Sequence, residues 1–388
     1  MRIALLCTDP SVIFGDGHRC PIRLRGLARA LALAGHEISV VCVARPDDSV
    51  PATPNLEVRN LRMPASVREI DWHFSQIDPD VVIERLVPGS TEGARAAAEA
   101  GIPHVYDVDL EPQADGLATS SSVRGALPEA LAISRAAIAT SQAGAARVRS
   151  LTGPAHPVCA LPNAADTTFL DSPSAEAVAQ VATEIGLPPG GLRVGFIGAL
   201  AEGGGLLPLV EAIGQLSAPR EARLIVVGDG PERNSALRLA SRTHTPLVMC
   251  GRVAHHDMAA YLAMCHIVVV PAEADGAAPL SLFEAMAMQR AVLAPATDGM
   301  RAVVRNGHDA CLVAIHDTAA LAVALIALAD DPSRRLRLGA NARATVSAGH
   351  TWDARAAELA QFLVGLNPAT ARPQRSWAAG GESLVLTG

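Results

Sequence analysis

Residues 266–290 read HIVVVPAEADGAAPLSLFEAMAMQR, and three textures follow one another in them. Residues 267–270 form an apolar, β-branched run of the kind that makes a strand buried on both faces. Pro271 and the stretch 272–279, with Gly276 inside it, cannot continue that strand and read as a loop. From Leu280 the residues are good helix formers, Leu282, Glu284, Met286 and Met288 among them. The unit is strand, loop, helix. It brings unpaired backbone N–H groups and the positive end of a helix dipole to the loop, which favours an anion such as a diphosphate. Glu273 and Asp275 on the loop, and Glu284 one turn into the helix, do not serve a phosphate. A carboxylate there suits the paired hydroxyl donors of a ribose or sugar. The alternative is a loop of solvated acids and a helix whose glutamate faces water.

Outward from this stretch the same alternation runs through the chain. Residues 2–7 read as a first buried strand, followed by a Gly-bearing loop over 9–20, a helix over 21–34 that stops at Gly35, and a second strand over 37–44. This is a Rossmann-like opening without the GxGxxG fingerprint of dinucleotide binding. Gly15 and Gly17 in FGDGHRC mark either a close approach of backbone to a ligand or a plain tight turn. Arg19, Arg23, Arg25 and Arg29 cluster on and before the helix, with Arg25 and Arg29 on one face. They suit an anionic acceptor or, equally simply, a solvated face. Further strands are expected at 80–84, 103–107 and 136–140, with Asp109 just past the second of these. Residues 171–191 are rich in Pro, Ser and Gly and predict a domain boundary. The alternation then restarts, with strands at 193–197, 223–227, 247–250, 267–270, 291–293 and 311–313. Strands alternating with helices imply a parallel, doubly wound sheet in each half. Residues 351–366 form an amphipathic helix, and the chain from 367 on has little periodicity.

Composition narrows the function. A chain of 388 residues supports two domains with full cores, and its 49% hydrophobic content with only 3% aromatics means those cores are aliphatic. A net charge of −7 gives no electrostatic footprint for nucleic acid and weakens the case for adhesion to anionic lipid. Every basic residue other than histidine is arginine; there is no lysine. Seven cysteines occur without a CxxC or a Cys/His cluster at zinc spacing, which fits reduced core thiols in the cytoplasm. The first apolar run is too short for a signal peptide, and the longest, 319–329, falls far below the roughly 20 residues needed to span a bilayer.

PLSLFEAMA resembles the second half of the donor-site signature of the GT4 family of retaining glycosyltransferases, E-G-F-x-x-x-x-x-E-A-M-A. Residues 9–41 resemble the family's N-terminal glycine loop and helix, VCALPNAADTTF resembles its V-P-N-G-V-D-x-x-x-F, and LIVVGDGPERNSALRLA its second strand-turn-helix with Pro231. The resemblance implies the GT-B architecture: two Rossmann-like, doubly wound parallel-sheet domains facing across a cleft, with a C-terminal helix crossing back. It divides the chain into an acceptor-side domain, 1–172, a nucleotide-sugar domain, 173–350, the crossing helix, 351–366, and a tail, 367–388. It implies a nucleotide-sugar donor, a small-molecule or glycan acceptor, transfer with retention, and no metal cofactor. Glu284 takes the place of the family glutamate that grips the ribose. The family's first glutamate falls on Gly276, which leaves Asp275 and Glu273 as candidates to approach the donor sugar. Asp109 falls where many members carry an active-site histidine.

The likeness breaks at GALAEGGG, residues 198–205. The family writes G-R-L-x-x-x-K-G, whose Arg and Lys hold the donor diphosphate; here those positions are Ala199 and Gly204. Gly203, Gly204 and Gly205 are either an N–H nest for an anion or a flexible turn. The candidate catalytic residues are thus Asp275, Glu273 and Asp109. The candidate donor-binding residues are Glu284, Pro279, Leu280 and Ser281 at the helix start, Gly198, Arg252, Gly15 and Gly17. Two functional classes follow: an active glycosyltransferase, or a non-catalytic relative that binds a ligand or partner. A homodimer is compatible with either.

Overall fold

The computed structural model describes residues 1–9, 19–42, 53–62, 64–87, 89–108, 128, 130–216, 220–271, 277–314 and 317–366, without the side chains of 19–21. Two parallel sheets organise it. The first contains β1 (Arg2–Cys7), β2 (Glu37–Cys42), β3 (Leu56–Asn60), β4 (Val81–Arg85), β5 (His104–Val108), β6 (Ala136–Ala139) and β7 (Val158–Ala160), in the order β3-β2-β1-β4-β5-β6-β7. The second contains β8 (Arg193–Ile197), β9 (Arg223–Val227), β10 (Leu247–Gly251), β11 (Ile267–Val269), β12 (Ala291–Pro295) and β13 (Cys311–Val313), in the order β10-β9-β8-β11-β12-β13.

These strands are short aliphatic runs because both faces of each sheet are covered by helices. In the second sheet Val194, Phe196, Leu224 and Val226 enter one core layer, while Ile197, Ile225 and Val268 enter the other. Strand ends differ from the sequence reading by a residue: 80–84 becomes Val81–Arg85, and 103–107 becomes His104–Val108. β3 and β7 were not in that reading. Each is an edge strand, and LEVRN mixes charge into its alternation while VCA is only three residues long.

In both sheets the strand order reverses between the first and fourth strands, β1 and β4 in one, β8 and β11 in the other. Loops leaving the carboxyl ends of such a pair diverge to opposite faces and open a crevice, where ligands of doubly wound folds bind. The loop after β8 is the glycine-rich 198–205, and the loop after β11 leads into the helix Leu280–Ala287.

The helix Trp352–Leu366 returns to the first sheet. Trp352, Ala356, Leu359 and Leu363 share a core layer with β1, β2 and the helix Arg19–Leu33. The crossing is pinned by reciprocal backbone bonds: Ala165 N–H donates to the His350 carbonyl, and Trp352 N–H to the Ala165 carbonyl, both at 3.0 Å. Gly26 makes the docking possible, because a Cβ there would fall inside the Trp352 indole.

Burial of histidines sets an acid limit on stability. Burial, with Arg193, Arg335 and Arg290 nearby, pushes His266 down to about 4, and its Nδ1 accepts the Arg193 N–H at 3.0 Å. Burial also lowers His73, His156 and His350. In the unfolded chain these rings take up protons near pH 6.5, which the folded chain resists, so stability falls as pH drops from about 6.5 towards 4. Melting temperatures across that window should decline, and His266→Asn, which keeps an acceptor, should flatten the slope. A wild type equally stable at both ends of the window would contradict this.

Candidate active site

Pro279 introduces the helix Leu280–Ala287 in an extended conformation and offers no side-chain cap. The Leu282 N–H bonds back to the Pro279 carbonyl at 3.1 Å. The Leu280 and Ser281 amides precede the first intrahelical bond and donate to no acceptor among the described residues. Ser281 Oγ is buried and has no hydrogen-bond partner among the described residues. Buried hydroxyls without partners are rare, and this one sits beside two spare amides at a helix N-terminus. Every residue of this helix is buried, and Leu280 reaches the core layer of the first sheet. This helix start therefore lies at the seam between the two sheets.

Glu284 does not face water: it is 5% exposed. Its Oε1 accepts from His255 Nε2 at 2.8 Å. His255 Nδ1 meets Arg25 Nη2, from the helix Arg19–Leu33, at 3.1 Å. A guanidinium can only donate, so Nδ1 accepts and Nε2 carries the hydrogen given to Glu284. Phe169, with its ring centroid 5.3 Å away, packs against the imidazole. A polar chain thus runs from the first domain into the second.

A second polar chain lies beside it. Arg23 is buried and bonds Asp107 through Nε at 3.3 Å and Nη2 at 3.2 Å, the Leu161 carbonyl at 3.0 Å and Asn163 Oδ1 at 3.3 Å. Arg85 adds a contact to Asp107 at 3.5 Å. Asn163 Nδ2 then donates to the carbonyl of Ala278, just before the Leu280–Ala287 helix, at 3.3 Å. Arg29 pairs with Asp166 at 3.1 Å. The arginines of the first helix that read as a solvated or acceptor-facing set are, for Arg23, Arg25 and Arg29, committed to internal contacts.

The glycine-rich loop departs from the simple nest. Gly203 and Gly205 take left-handed φ of 76° and 96°. Gly203 N–H points at Glu232 Oε1, 3.3 Å away, and Gly204 N–H at the Ala201 carbonyl, 3.1 Å away. Two of the three amides are therefore occupied, one by a carboxylate. Burial pushes the Glu232 carboxyl above its usual range, with the Gly203 N–H opposing and Glu202 reinforcing the shift. Gly198, at φ 150°, packs so closely on Pro271 that a side chain there would clash. Ala199 is exposed, whereas a Cβ on Gly204 would sit 3.0 Å from the Ala201 carbonyl oxygen. Arg252 is exposed just beyond β10, the edge strand, two strands from β8. A small, largely apolar cavity of about 60 Å³ borders the loop on its β12–β13 side, touching Gly203, Val270, Pro295 and Thr318; neither Ser281 nor Glu284 lines it.

Asp275, Glu273, Asp109, Gly15 and Gly17 lie outside the described residues. Sequence reasoning did not single out His255, Asn163 or Glu232. Asn163 and Glu232 lie inside stretches quoted for the family resemblance, and His255 is a polar ring a few residues past the carboxyl end of a second-domain strand. Among the described residues, no helix is long and apolar enough to cross a membrane.

Residues 22–169 match the family model described as Glycosyltransferase Family 4, and residues 191–331 the one described as Glycosyl transferases group 1. The two matches fall one on each sheet and together span most of the chain. This chain belongs to the family-4 glycosyltransferases. The family-4 chain is 27% identical over 400 residues to the phosphatidyl-myo-inositol mannosyltransferase of Mycolicibacterium smegmatis, covering 98% of this chain and 97% of that protein. It is 34% identical over 204 residues to the D-inositol 3-phosphate glycosyltransferase of Xylanimonas cellulosilytica, covering 50% of this chain and 47% of that one. The chain spans less than half the length of several of the curated relatives it matches. Its fold superposes on Anabaena HepE in complex with UDP and glucose with a TM-score of 0.75 at 19% identity, over 94% of this chain and 100% of that one. The two-sheet arrangement is the GT-B fold.

Proposed function

We propose that this chain transfers a sugar from a nucleoside diphosphate sugar to a hydroxyl of a small-molecule or glycan acceptor, with retention at the anomeric carbon. The observation that carries the reading is the start of the Leu280–Ala287 helix: two spare amides and the unpartnered Ser281 Oγ, at a strand-order reversal, one turn from Glu284. The amides and the hydroxyl donate to the diphosphate, and the free Glu284 oxygen accepts from a ribose hydroxyl. Asp275 approaches the donor sugar, with Glu273 the second candidate, and Asp109 comes to it from the acceptor side. The acceptor oxygen bonds to the anomeric carbon as the bond from that carbon to the phosphate oxygen breaks. The acceptor proton passes to the departing phosphate on the same face. Helix amides supply the charge neutralisation, so a chelator should leave turnover unchanged. Relatives named as mannosyl- and glycosyltransferases support the reaction class. We place the protein in the cytoplasm, and light scattering of the purified chain tests whether it is a homodimer.

Two missing charge-assisted contacts to a diphosphate, at about 1.5–3 kcal/mol each, remove roughly two to four powers of ten in affinity. Uridine or guanosine diphosphate should therefore bind no tighter than tens of micromolar, as an order of magnitude. Ala199→Arg should tighten binding roughly ten-fold, because the position is exposed and the gain is one such contact. Gly204→Lys should give less, since its Cβ presses on Ala201. Calorimetry on the two variants decides; no gain from Ala199→Arg would place the diphosphate elsewhere.

The deciding experiment incubates the purified protein with a panel of nucleotide-sugars and hydroxyl acceptors and measures nucleoside diphosphate release and product. Turnover with at least one pair is expected. Nucleotide binding without turnover across the panel would favour the non-catalytic, ligand-binding relative.

A further inference from the structure

We propose that His255 is the positioning residue of the ribose carboxylate, and that Arg25 of the first domain holds it in place. The inference rests on the reading of Glu284 as the ribose acceptor. A buried carboxylate one turn into a helix has several rotamers, and only some leave an oxygen turned to where a ribose beside the helix start would sit. His255 Nε2, at 2.8 Å, ties up Oε1 and leaves Oε2 for the ribose hydroxyls. The imidazole is itself fixed on two further sides: Arg25 Nη2 donates to Nδ1 at 3.1 Å, and Phe169 packs on the ring. Because Arg25 can only donate, it also fixes which ring nitrogen gives its hydrogen to Glu284. The arrangement parallels the way outer partners orient the ligating side chains of other sites. Its consequence is specific: Arg25 lies in the acceptor-side half of the chain and touches no part of the donor helix through this contact, yet it sets the aim of the donor carboxylate.

A general packing role would weaken every nucleotide alike, so the test compares ligands that differ only at the ribose. Calorimetry measures uridine and guanosine diphosphate and their 2′,3′-dideoxy counterparts on the full chain. Wild type should prefer the ribose form by about ten-fold or more, and Glu284→Gln should bring that ratio towards one. His255→Phe keeps the ring packing against Phe169 and removes both nitrogens. It should lose the ribose preference while binding the dideoxy ligand within about two-fold of wild type. His255→Gln, which returns an N–H donor, should recover part of the preference, and Arg25→Met should lower it without abolishing it. A preference retained in His255→Phe but lost in Glu284→Gln overturns the positioning role and leaves the ribose reading standing. Equal weakening of both ligands in His255→Phe and His255→Gln makes His255 a packing residue and also overturns it. A wild type that binds both forms equally removes the ribose role of Glu284 itself, and this inference with it.

Discussion

Glu284→Gln is expected to weaken nucleoside diphosphate binding by roughly ten-fold or more, with the fold intact. A carboxylate that accepts from ribose hydroxyls makes charge-assisted bonds of about 1.5–3 kcal/mol each, and 1.4 kcal/mol is already ten-fold. Burial raises the stakes, because Glu284 is screened from water and its partner His255 is fixed by Arg25. Glutamine can still offer its amide oxygen to His255 Nε2. Its NH₂ would then stand where a ribose hydroxyl needs an acceptor, so the loss falls on the ligand rather than on the protein. Calorimetry with uridine and guanosine diphosphate measures the effect. Equal affinity for wild type and variant would make Glu284 a structural partner of His255 and nothing more.

Trp352→Ala is expected to be the most damaging single change to stability away from the cleft. Trp352 is 4% exposed, packs over Gly26 and opens the helix that ties the end of the chain to the first sheet. Truncating a buried aromatic of this kind costs about 3–5 kcal/mol. For domains of this size that corresponds to a fall in Tm on the order of 10 °C. Gly26→Val attacks the same contact from the other side, by overpacking, and should lower Tm by a smaller amount, since such insertions cost about 1–3 kcal/mol. Thermal melts of both variants check the pair. A shift below about 2 °C for Trp352→Ala would mean that the Trp352–Leu366 helix is not held as described.

Much of the architecture could be read from local pattern. The β-branched runs at 193–197, 223–227 and 267–270 are buried on both faces, which leaves them no polar alternation to blur the signal. The two strands that escaped notice are edges, where half-exposed residues such as Glu57 and Arg59 dilute the pattern. The site was legible only where its chemistry is contiguous. PLSLFEAMA carries both the helix start and Glu284 in nine residues, so one stretch displays the whole idea. The His255 contacts join positions 29 and 230 residues away, and no linear pattern announces such a meeting. Arg23 sits among apolar residues in PIRLRGLAR and looks like a charge at a helix surface. Asp107, 84 residues on at the end of β5, is what makes its burial tolerable. The triple glycine stayed open between a nest and a turn for the same reason: Glu232, from the loop after β9, takes an amide that the isolated sequence leaves free.

The account stands or falls on where a nucleoside diphosphate sits. A crystal structure of the protein soaked with uridine or guanosine diphosphate tests it most directly. The prediction is a diphosphate oxygen at about 3 Å from the Leu280 and Ser281 amides and from Ser281 Oγ, with a ribose hydroxyl on Glu284. A nucleotide lodged instead in the cavity lined by Pro295 and Thr318, with the Leu280–Ala287 helix start untouched, would contradict it.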